Sequence, residues 1–269
     1  MKYKMVTFDL DGTLYNSKDK ISDENNKAIS EFKKLGIPFV PCTGRTLSEM
    51  KELCENPDIR YIIYSSGAAI LDKKTGEHTS NSLSHDVKKK LLSDLSPFDY
   101  YYFIHADGNC YVDGKLKGKE KEYKLNETLR YLADNVALAV DDFEKEFLSM
   151  EVECLALFFK TDEDREKCKK IIVADERIFA AEPWPRNFEI FDAKAGKGNA
   201  IKELAKKLVV DLSEVISVGD SDNDIGALKT AGLGIAVSNG SEEIKRIADE
   251  IACSNDEHVA EYVLKRYFL

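Results

Sequence analysis

The chain has 269 residues, of which 43% are hydrophobic, so it has enough apolar material for one large domain or two smaller ones. The formal net charge of -10 and a pI near 5.1 argue against non-specific binding to nucleic acid or to an anionic membrane, because the long-range field repels polyanions. A local cationic pocket stays compatible with that charge.

Cysteine usage and apolar runs indicate the compartment. The six cysteines lie far apart, without a CxxC pair and without the spacing of a zinc site, so we expect reduced thiols. The sequence shows no cleavable apolar segment at its start and no run near the roughly 20 apolar residues that a membrane helix needs. We therefore expect a cytoplasmic protein.

Strands and helices alternate in the N-terminal part of the sequence. A short apolar run ends at Asp9, and apolar residues then recur at helical spacing until Gly36 and Pro38 end the helix. In chain order, the predicted elements are a strand at 5–8, a helix at 21–35, a strand at 37–42, a helix at 47–53 and a strand at 61–64. Such alternation predicts a parallel sheet with helices on both faces.

Between about residues 82 and 187 the pattern becomes tyrosine-rich and alternating, which predicts an α+β domain. The Lys-rich stretch 115–124 contains glutamates and is predicted as a solvated hairpin or loop. Trp184, between two prolines, is expected to be a packed residue near the exit from this domain. The predicted elements are strands at 100–105, 109–112, 152–159 and 188–191 and helices at 87–95, 125–133 and 162–173.

The C-terminal part returns to the first pattern. Its predicted elements are a helix at 200–208, strands at 215–218 and 234–237, a helix at 244–248, a strand at 250–253 and a helix at 259–264. Both ends of the chain therefore belong to one α/β domain, made of residues 1–81 and 188–269. Residues 82–187 are predicted to form a domain inserted into it.

Two acidic segments follow predicted strands. Asp9 and Asp11 lie in FDLDGTL, where alternation along an extended chain sends both side chains to the same side. A calcium loop and a simple turn are the alternative interpretations, but a calcium loop places further oxygen ligands in the following residues. Asp220 and Asp224 lie in VGDSDNDIGAL, and part of that segment can serve as a helix cap.

Because the carboxyl ends of parallel strands open onto one crevice, Asp9, Asp11 and Asp220 can meet around a cation. A ligand set made only of oxygen atoms, without His or Cys, favours Mg²⁺. Thr43 and the amides around Gly44 can donate to a phosphate, although Thr-Gly-Arg is more often a helix cap. Lys197, just before a predicted helix, can neutralise phosphoryl oxygens, although single lysines are usually solvated.

Taken in order, FDLDGTL, Thr43-Gly44-Arg45, the Lys197 segment and GDSDND resemble the four motifs of the haloacid dehalogenase-like superfamily, and specifically its Cof-type phosphatases. The resemblance covers the whole chain and implies a Rossmann-like doubly wound parallel-sheet core with a mobile cap. Only 31 residues separate Asp11 from Thr43, whereas 153 separate Thr43 from Lys197, so the resemblance places the inserted cap in the second gap.

The resemblance also implies roles for the motif residues. Asp9 is the nucleophile and a metal ligand, and Asp11 is the general acid and base whose carbonyl also faces the metal. Asp220 completes the protein ligands of Mg²⁺. The remaining roles are support of the metal shell by Asp224, and binding of the phosphoryl group by Thr43, Gly44, Arg45, Lys197 and Asn223.

The activity implied is a Mg²⁺-dependent hydrolysis of small phosphomonoesters, with sugar phosphates and cofactor phosphates as the candidate substrates. A phosphomutase of the phosphomannomutase type, a non-catalytic binding protein and a structural oligomer are the alternatives, and a monomer is expected. Ser66 stands where relatives often have Asn, which leaves open the contact that this position makes with a substrate.

Overall fold

A computed structural model describes residues 2–182 and 186–269, so the prediction for Trp184 falls outside the described residues. The chain divides into two compact units, each with its own core. The first unit contains Met1–Gly44, Glu52–Thr79 and Gly196–Leu269, and the second contains Arg45–Lys51 and Ser80–Ala195. No helix among the described residues is long and apolar enough to cross a membrane.

Strands and helices alternate in the first unit and mix with longer antiparallel strands in the second. The strands are β1 Met5–Phe8, β2 Phe39–Pro41, β3 Tyr61–Tyr64, β4 Ala69–Asp72, β5 Glu77–Ser80, β6 Tyr100–Ala106, β7 Asn109–Asp113, β8 Leu138–Val140, β9 Val152–Phe159, β10 Ile178–Ala181, β11 Asn187–Asp192, β12 Val215–Gly219, β13 Leu233–Ala236 and β14 Glu250–Ile251. The helices are α1 Asp23–Lys34, α2 Lys51–Glu55, α3 His85–Leu95, α4 Glu127–Asn135, α5 Phe143–Ser149, α6 Asp162–Ile172, α7 Lys197–Leu208, α8 Ile225–Thr230, α9 Glu242–Ile247 and α10 Val259–Tyr267.

The first unit is built on a parallel sheet in the order β14-β13-β12-β1-β2. Strands β1 and β12 are fully buried and lie side by side at its centre. Strands buried on both faces need an almost continuous apolar sequence, which explains the runs MVTF and VISVG. The carboxyl ends of β1 and β12 therefore emerge next to each other.

Helix α1 shows how the sequence sets the elements of this unit. The Ser22 hydroxyl caps it by accepting a hydrogen bond from the amide of Asn25, and Ala28, Ile29 and Phe32 form its buried face. Gly36, at a φ of 73°, then lets the chain turn away. The helix predicted at 21–35 is confirmed.

Strand β3 joins the parallel sheet through one parallel bridge, between Cys42 and Ile63, and then begins an antiparallel sheet in the order β3-β4-β5. Strands β4 and β5 were not predicted from the sequence, because they are short and lack a strong apolar alternation. The predicted class, α/β with a parallel-sheet core and an additional α+β part, is confirmed.

The second unit contains a six-stranded sheet in the order β10-β11-β9-β6-β7-β8. Helices α3, α5 and α6 contribute to the core on one face of that sheet. Strands β6, β7, β9 and β11 lie where they were predicted, and the predicted loop at 115–124 consists of turns. Strands β8 and β10 and helix α5 were not predicted from the sequence.

Strand β11 fixes where the second unit ends. It pairs antiparallel with β9 and β10, and the unit extends to Ala195. The predicted domain boundary instead assigned residues 188–195 to the core. A strand belongs to the sheet that satisfies its backbone hydrogen bonds, and those partners are distant in sequence.

Candidate active site

Asp9 directly follows β1 and is buried, with 5% of its surface exposed. Its amide donates to the carbonyl of Val218 on the neighbouring strand, at 2.9 Å. The chain then turns through Leu10–Leu14, with Gly12 at a φ of 77°. A Cβ at Gly12 would lie 2.5 Å from Asp220 Oδ2, so a larger residue at this left-handed position would displace the Asp220 carboxylate.

Asp11 is exposed within this turn. Its carboxylate is not part of the compact carboxylate group described below. The predicted metal ligand of this residue is its backbone carbonyl, and that assignment stays a prediction.

Asp220 and Asp224 follow β12. Asp224 is 1% exposed, and its Oδ2 accepts hydrogen bonds from the amides of Asp220, at 3.1 Å, and Ser221, at 3.2 Å. Asp220 is half-buried, and its Oδ1 accepts a 3.4 Å hydrogen bond from the Thr13 hydroxyl. The side chain of Asp224 thus stabilises the turn that contains it, while Asp220 faces the loop that follows Asp9.

Lys197 is the first residue of α7 and is 3% exposed. Its Nζ donates to Asp9 Oδ1 at 2.6 Å and to Asp224 Oδ1 at 2.5 Å. The sequence allowed this lysine to be either solvated or part of the site, and the structure buries it against two predicted site residues. A buried ammonium needs such partners, because the loss of hydration is costly.

The electrostatics of the site follow from burial and from the crowding of carboxylates. Burial raises the pKa of Asp9, and the nearby ammonium of Lys197 offsets only part of that rise. Burial and the charge of Asp224 raise the pKa of Asp220 to about 6. Burial lowers the pKa of Lys197, but Asp224 and Asp9 outweigh burial, so the net pKa lies above its ordinary value.

The carboxylate group fits a divalent cation. Asp9, Asp220 and Asp224 each offer an oxygen, and these oxygens all lie within 4.8 Å of one another. One ammonium does not balance three carboxylates, and the raised pKa values of Asp9 and Asp220 indicate that the site favours added positive charge. Hard oxygen donors without sulfur or imidazole suit Mg²⁺.

The second motif, Thr43-Gly44-Arg45, follows shortly after β2. Thr43 is fully buried in the first unit, where its amide donates to the carbonyl of Ile63 at 3.0 Å. Its carbonyl accepts the amide of Ser66 at 2.9 Å, and Gly44 lies beside the Ser66 hydroxyl. Arg45 is half-buried and begins the Arg45–Lys51 segment of the second unit.

Asn223 lies in the turn between Asp220 and Asp224, is exposed, and accepts a hydrogen bond from the Ser221 hydroxyl at 2.8 Å. Cys42 is buried beside Lys197, and burial raises the pKa of its thiol well above the usual value, so it is a packed and unreactive cysteine.

Sequence reasoning missed two groups that hold the loops. Thr13 bonds Asp220, and its place inside FDLDGTL was the available signal. Asn239 donates to the carbonyl of Gly12 at 2.8 Å from more than 220 residues away in sequence, and no local pattern marked it.

Comparisons with known proteins identify the family of this chain. Residues 6–264 match the family described as haloacid dehalogenase-like hydrolase. Phosphatase YwpJ of Bacillus subtilis (strain 168) is 29% identical over 97% of this chain and 99% of its own length. The 5-amino-6-(5-phospho-D-ribitylamino)uracil phosphatase YcsE of the same strain is 28% identical over 99% of this chain and 96% of its own.

A solved haloacid dehalogenase-like hydrolase from B. subtilis superimposes with a TM-score of 0.81 at 29% identity, covering 98% of this chain and 99% of that one. The family match spans both units. The chain belongs to the haloacid dehalogenase-like hydrolases, which confirms the family predicted from its sequence.

Proposed function

We propose that this chain is a Mg²⁺-dependent phosphatase that hydrolyses small phosphomonoesters through a phosphoryl group carried on Asp9. The observation that carries the proposal is the buried contact of Lys197 with Asp9 and Asp224, beside Asp220. Two buried carboxylates and a buried ammonium in contact, next to the carboxylate of Asp220, support a nucleophile, a fixed cationic group and a cation site in one place. The similarity to YwpJ and YcsE over nearly the whole chain supports phosphate esters as substrates.

In the first half-reaction, an oxygen of Asp9 attacks phosphorus while the bond from phosphorus to the ester oxygen breaks. The carboxyl group of Asp11 gives its proton to the leaving alkoxide, which departs as an alcohol. Lys197 offsets the charge that builds on the phosphoryl oxygens, and its burial keeps water from weakening that interaction.

In the second half-reaction, water attacks the phosphorus of the acyl phosphate. Asp11, now ionised, takes a proton from that water, and the bond from phosphorus to the Asp9 oxygen breaks. The products are inorganic phosphate and the original carboxylate. The exposed position of Asp11 suits a group that must exchange protons in both steps.

The nucleophile must be ionised, although burial raises the pKa of Asp9. Asp9, Asp220 and the carbonyl of Asp11 would hold Mg²⁺, which supplies positive charge to the carboxylates and to the phosphoryl oxygens when bound. Asp224 is proposed to support the metal site by holding Lys197 and the backbone of Asp220, because its oxygens already accept hydrogen bonds from Lys197 and from two backbone amides. Thr43, Gly44, Arg45 and Asn223 are proposed to donate to the phosphoryl group.

The substrate class of the proposal is phosphates of sugars, polyols or cofactors. A role of residues 82–187 as a cap that selects among them, and a cytoplasmic location, belong to the same proposal.

The test is phosphate release from a panel of sugar phosphates, nucleotides, flavin mononucleotide and pyridoxal phosphate, with and without MgCl₂. Asp9→Asn should lose at least about 10³-fold in kcat, because it removes the nucleophile. Asp222→Asn is the matched control, since Asp222 is an exposed acid near the site that accepts a hydrogen bond from Ser241.

Release that requires Mg²⁺, disappears in Asp9→Asn and persists in Asp222→Asn supports the proposal. Release that survives in Asp9→Asn refutes the nucleophile. Activity that appears only with a bisphosphate and returns the phosphoryl group to a sugar identifies a mutase instead. No release from any compound leaves a binding protein as the better interpretation.

A further inference from the structure

The turn after β3 has an unusual backbone. Ser65, Ser66 and Gly67 all have positive φ, at 48°, 56° and 84°. Left-handed conformations are unfavourable for residues with a Cβ, so three in succession persist only where the surroundings hold them. Two hydrogen bonds of 2.9 Å anchor this turn. The amide of Ser66 donates to the carbonyl of Thr43, and the amide of Ala68 donates to the carbonyl of Ser65.

Gly67 packs directly on the backbone that begins α7. A Cβ at Gly67 would lie 2.4 Å from the carbonyl carbon of Gly196, and 2.5 Å from the Gly196 oxygen and from the Lys197 amide nitrogen. Contacts under 3.0 Å are essentially never seen for a real Cβ. The peptide that carries Lys197 therefore touches the turn as closely as two backbones can approach.

The opposite side of the same helical turn is equally close to α8. A Cβ at Gly198 would lie 2.4 Å from the carbonyl oxygen of Gly226 and 2.8 Å from Thr230 Oγ1. Helix α8 follows directly after Asp224, the second acceptor of the Lys197 ammonium. The residue before Lys197 and the residue after it are thus held from two sides.

We propose that Gly67 and Gly198, here called the glycine clamp, are positioning residues that fix the backbone of Lys197 so that its Nζ reaches Asp9 and Asp224 together. This inference rests on the proposed function for its kinetic consequences and on the contacts alone for its geometry. If the backbone of Lys197 were displaced, its Nζ would no longer lie within hydrogen-bond distance of both carboxylates.

The clamp explains two features that the chemistry alone does not. Gly67 lies in the Ser66-Gly67-Ala68 segment, which contains no group that the proposed reaction uses. Gly198 lies inside a helix, where glycine is a poor residue, and its φ is not left-handed. Close backbone approach accounts for both glycines.

The first test is Gly67→Ala, with Gly76→Ala as its matched control. Gly76 has a φ of 72°, close to that of Gly67, but a Cβ there meets nothing within 4 Å. Both variants therefore carry the left-handed backbone strain, and only Gly67→Ala collides with α7. Because the turn is anchored to Thr43, we expect the Lys197 backbone to move by about half an ångström or more.

Crystal structures of the two variants measure the distance from Lys197 Nζ to Asp9 Oδ1, which is 2.6 Å in the native chain. Hydrolysis of p-nitrophenyl phosphate with MgCl₂ measures kcat and KM. We expect Gly67→Ala to lose on the order of 10²-fold in kcat with a smaller change in KM, because the lysine acts as charge develops in transfer. Gly76→Ala should stay within about threefold of the native kcat.

A second variant, Gly198→Ala, approaches from the other side without left-handed strain. Helix propensity alone would make it more stable, whereas the collision with Gly226 should displace α7 and lower kcat by a similar factor. If Gly67→Ala fails to fold, Gly198→Ala tests by itself whether these backbone contacts position Lys197.

Lys197 in its native place in the variant crystals, or native kcat in both clamp variants, would overturn the inference. If the native protein releases no phosphate, the proposed function fails, and the crystal distances still decide whether the clamp positions the lysine.

Discussion

Asp224→Asn isolates the electrostatic support of Lys197 with almost no change in side-chain shape. Asp224 is 1% exposed and accepts three hydrogen bonds, one from the Lys197 ammonium and two from the amides of Asp220 and Ser221. All three partners are donors. An asparagine has one acceptor oxygen and one donor amide, so it cannot satisfy both sides.

The two orientations of the asparagine fail in different ways. If its oxygen faces Lys197, its NH₂ group points at two backbone amides; if its oxygen faces the amides, its NH₂ group points at the ammonium. Each leaves buried donors facing each other, which costs about 1–3 kcal/mol. The buried ammonium also loses one of its two counter-charges, so we expect a total loss of about 3 kcal/mol in the free energy of unfolding.

Urea unfolding followed by circular dichroism measures this loss, with Asp222→Asn as the control. Asp222 is exposed, and its replacement should change the free energy of unfolding by less than about 0.5 kcal/mol. A loss below about 1 kcal/mol in Asp224→Asn would refute the reasoning, because it would mean that the three donors do not all need a carboxylate oxygen at this position. The kcat of Asp224→Asn should also fall while the substrate KM changes less.

Three other perturbations test separate parts of the structure. Gly12→Ala puts a Cβ 2.5 Å from Asp220 Oδ2, so it should lower the kcat of phosphate release by at least about 10-fold. Gly36→Ala, which has a similar φ and open space around it, should keep the native kcat, and equal kcat values in the two variants would contradict this prediction. Burial raises the pKa of Glu189 from 4.5 to about 7, so the folded state holds a proton that the unfolded state releases. The free energy of unfolding should therefore fall as the pH rises from 4.5 to about 7, and urea titrations of Glu189→Gln should show a weaker fall; an identical pH profile would contradict this assignment. Lys88, 5% exposed, donates to two backbone carbonyls at 2.6 and 2.9 Å, so Lys88→Met should cost about 1–3 kcal/mol in urea unfolding, and native stability would show that water replaces those bonds.

The elements with a strong local signal were predicted from the sequence. Strand β9 matches its predicted bounds because eight consecutive residues are buried, and α1 follows from its Ser22 cap and its apolar spacing. Strands β8 and β10 were missed because each is short and lies at an edge of its sheet, where residues such as Leu138 and Phe179 remain exposed.

The sequence by itself determined which residues to expect at the site. Asp9, Asp11 and Asp220 follow apolar strands, and the rule that parallel strands open onto one edge was enough to expect them near a cation. The motif order also identified the family, because FDLDGTL and GDSDND are specific combinations.

Only the tertiary structure decided which of these residues meet and what holds them. Lys197 reaches Asp9 across 188 positions, and its burial between two carboxylates could not be read from a lone lysine before a helix. The assignment of β11 to the second sheet and of Arg45 to the second unit depends likewise on partners far away in sequence. Local patterns encode burial and turns, whereas contacts between distant segments are set by how whole elements pack. A glycine that permits such a contact has no side chain, so the sequence around it does not indicate what it touches.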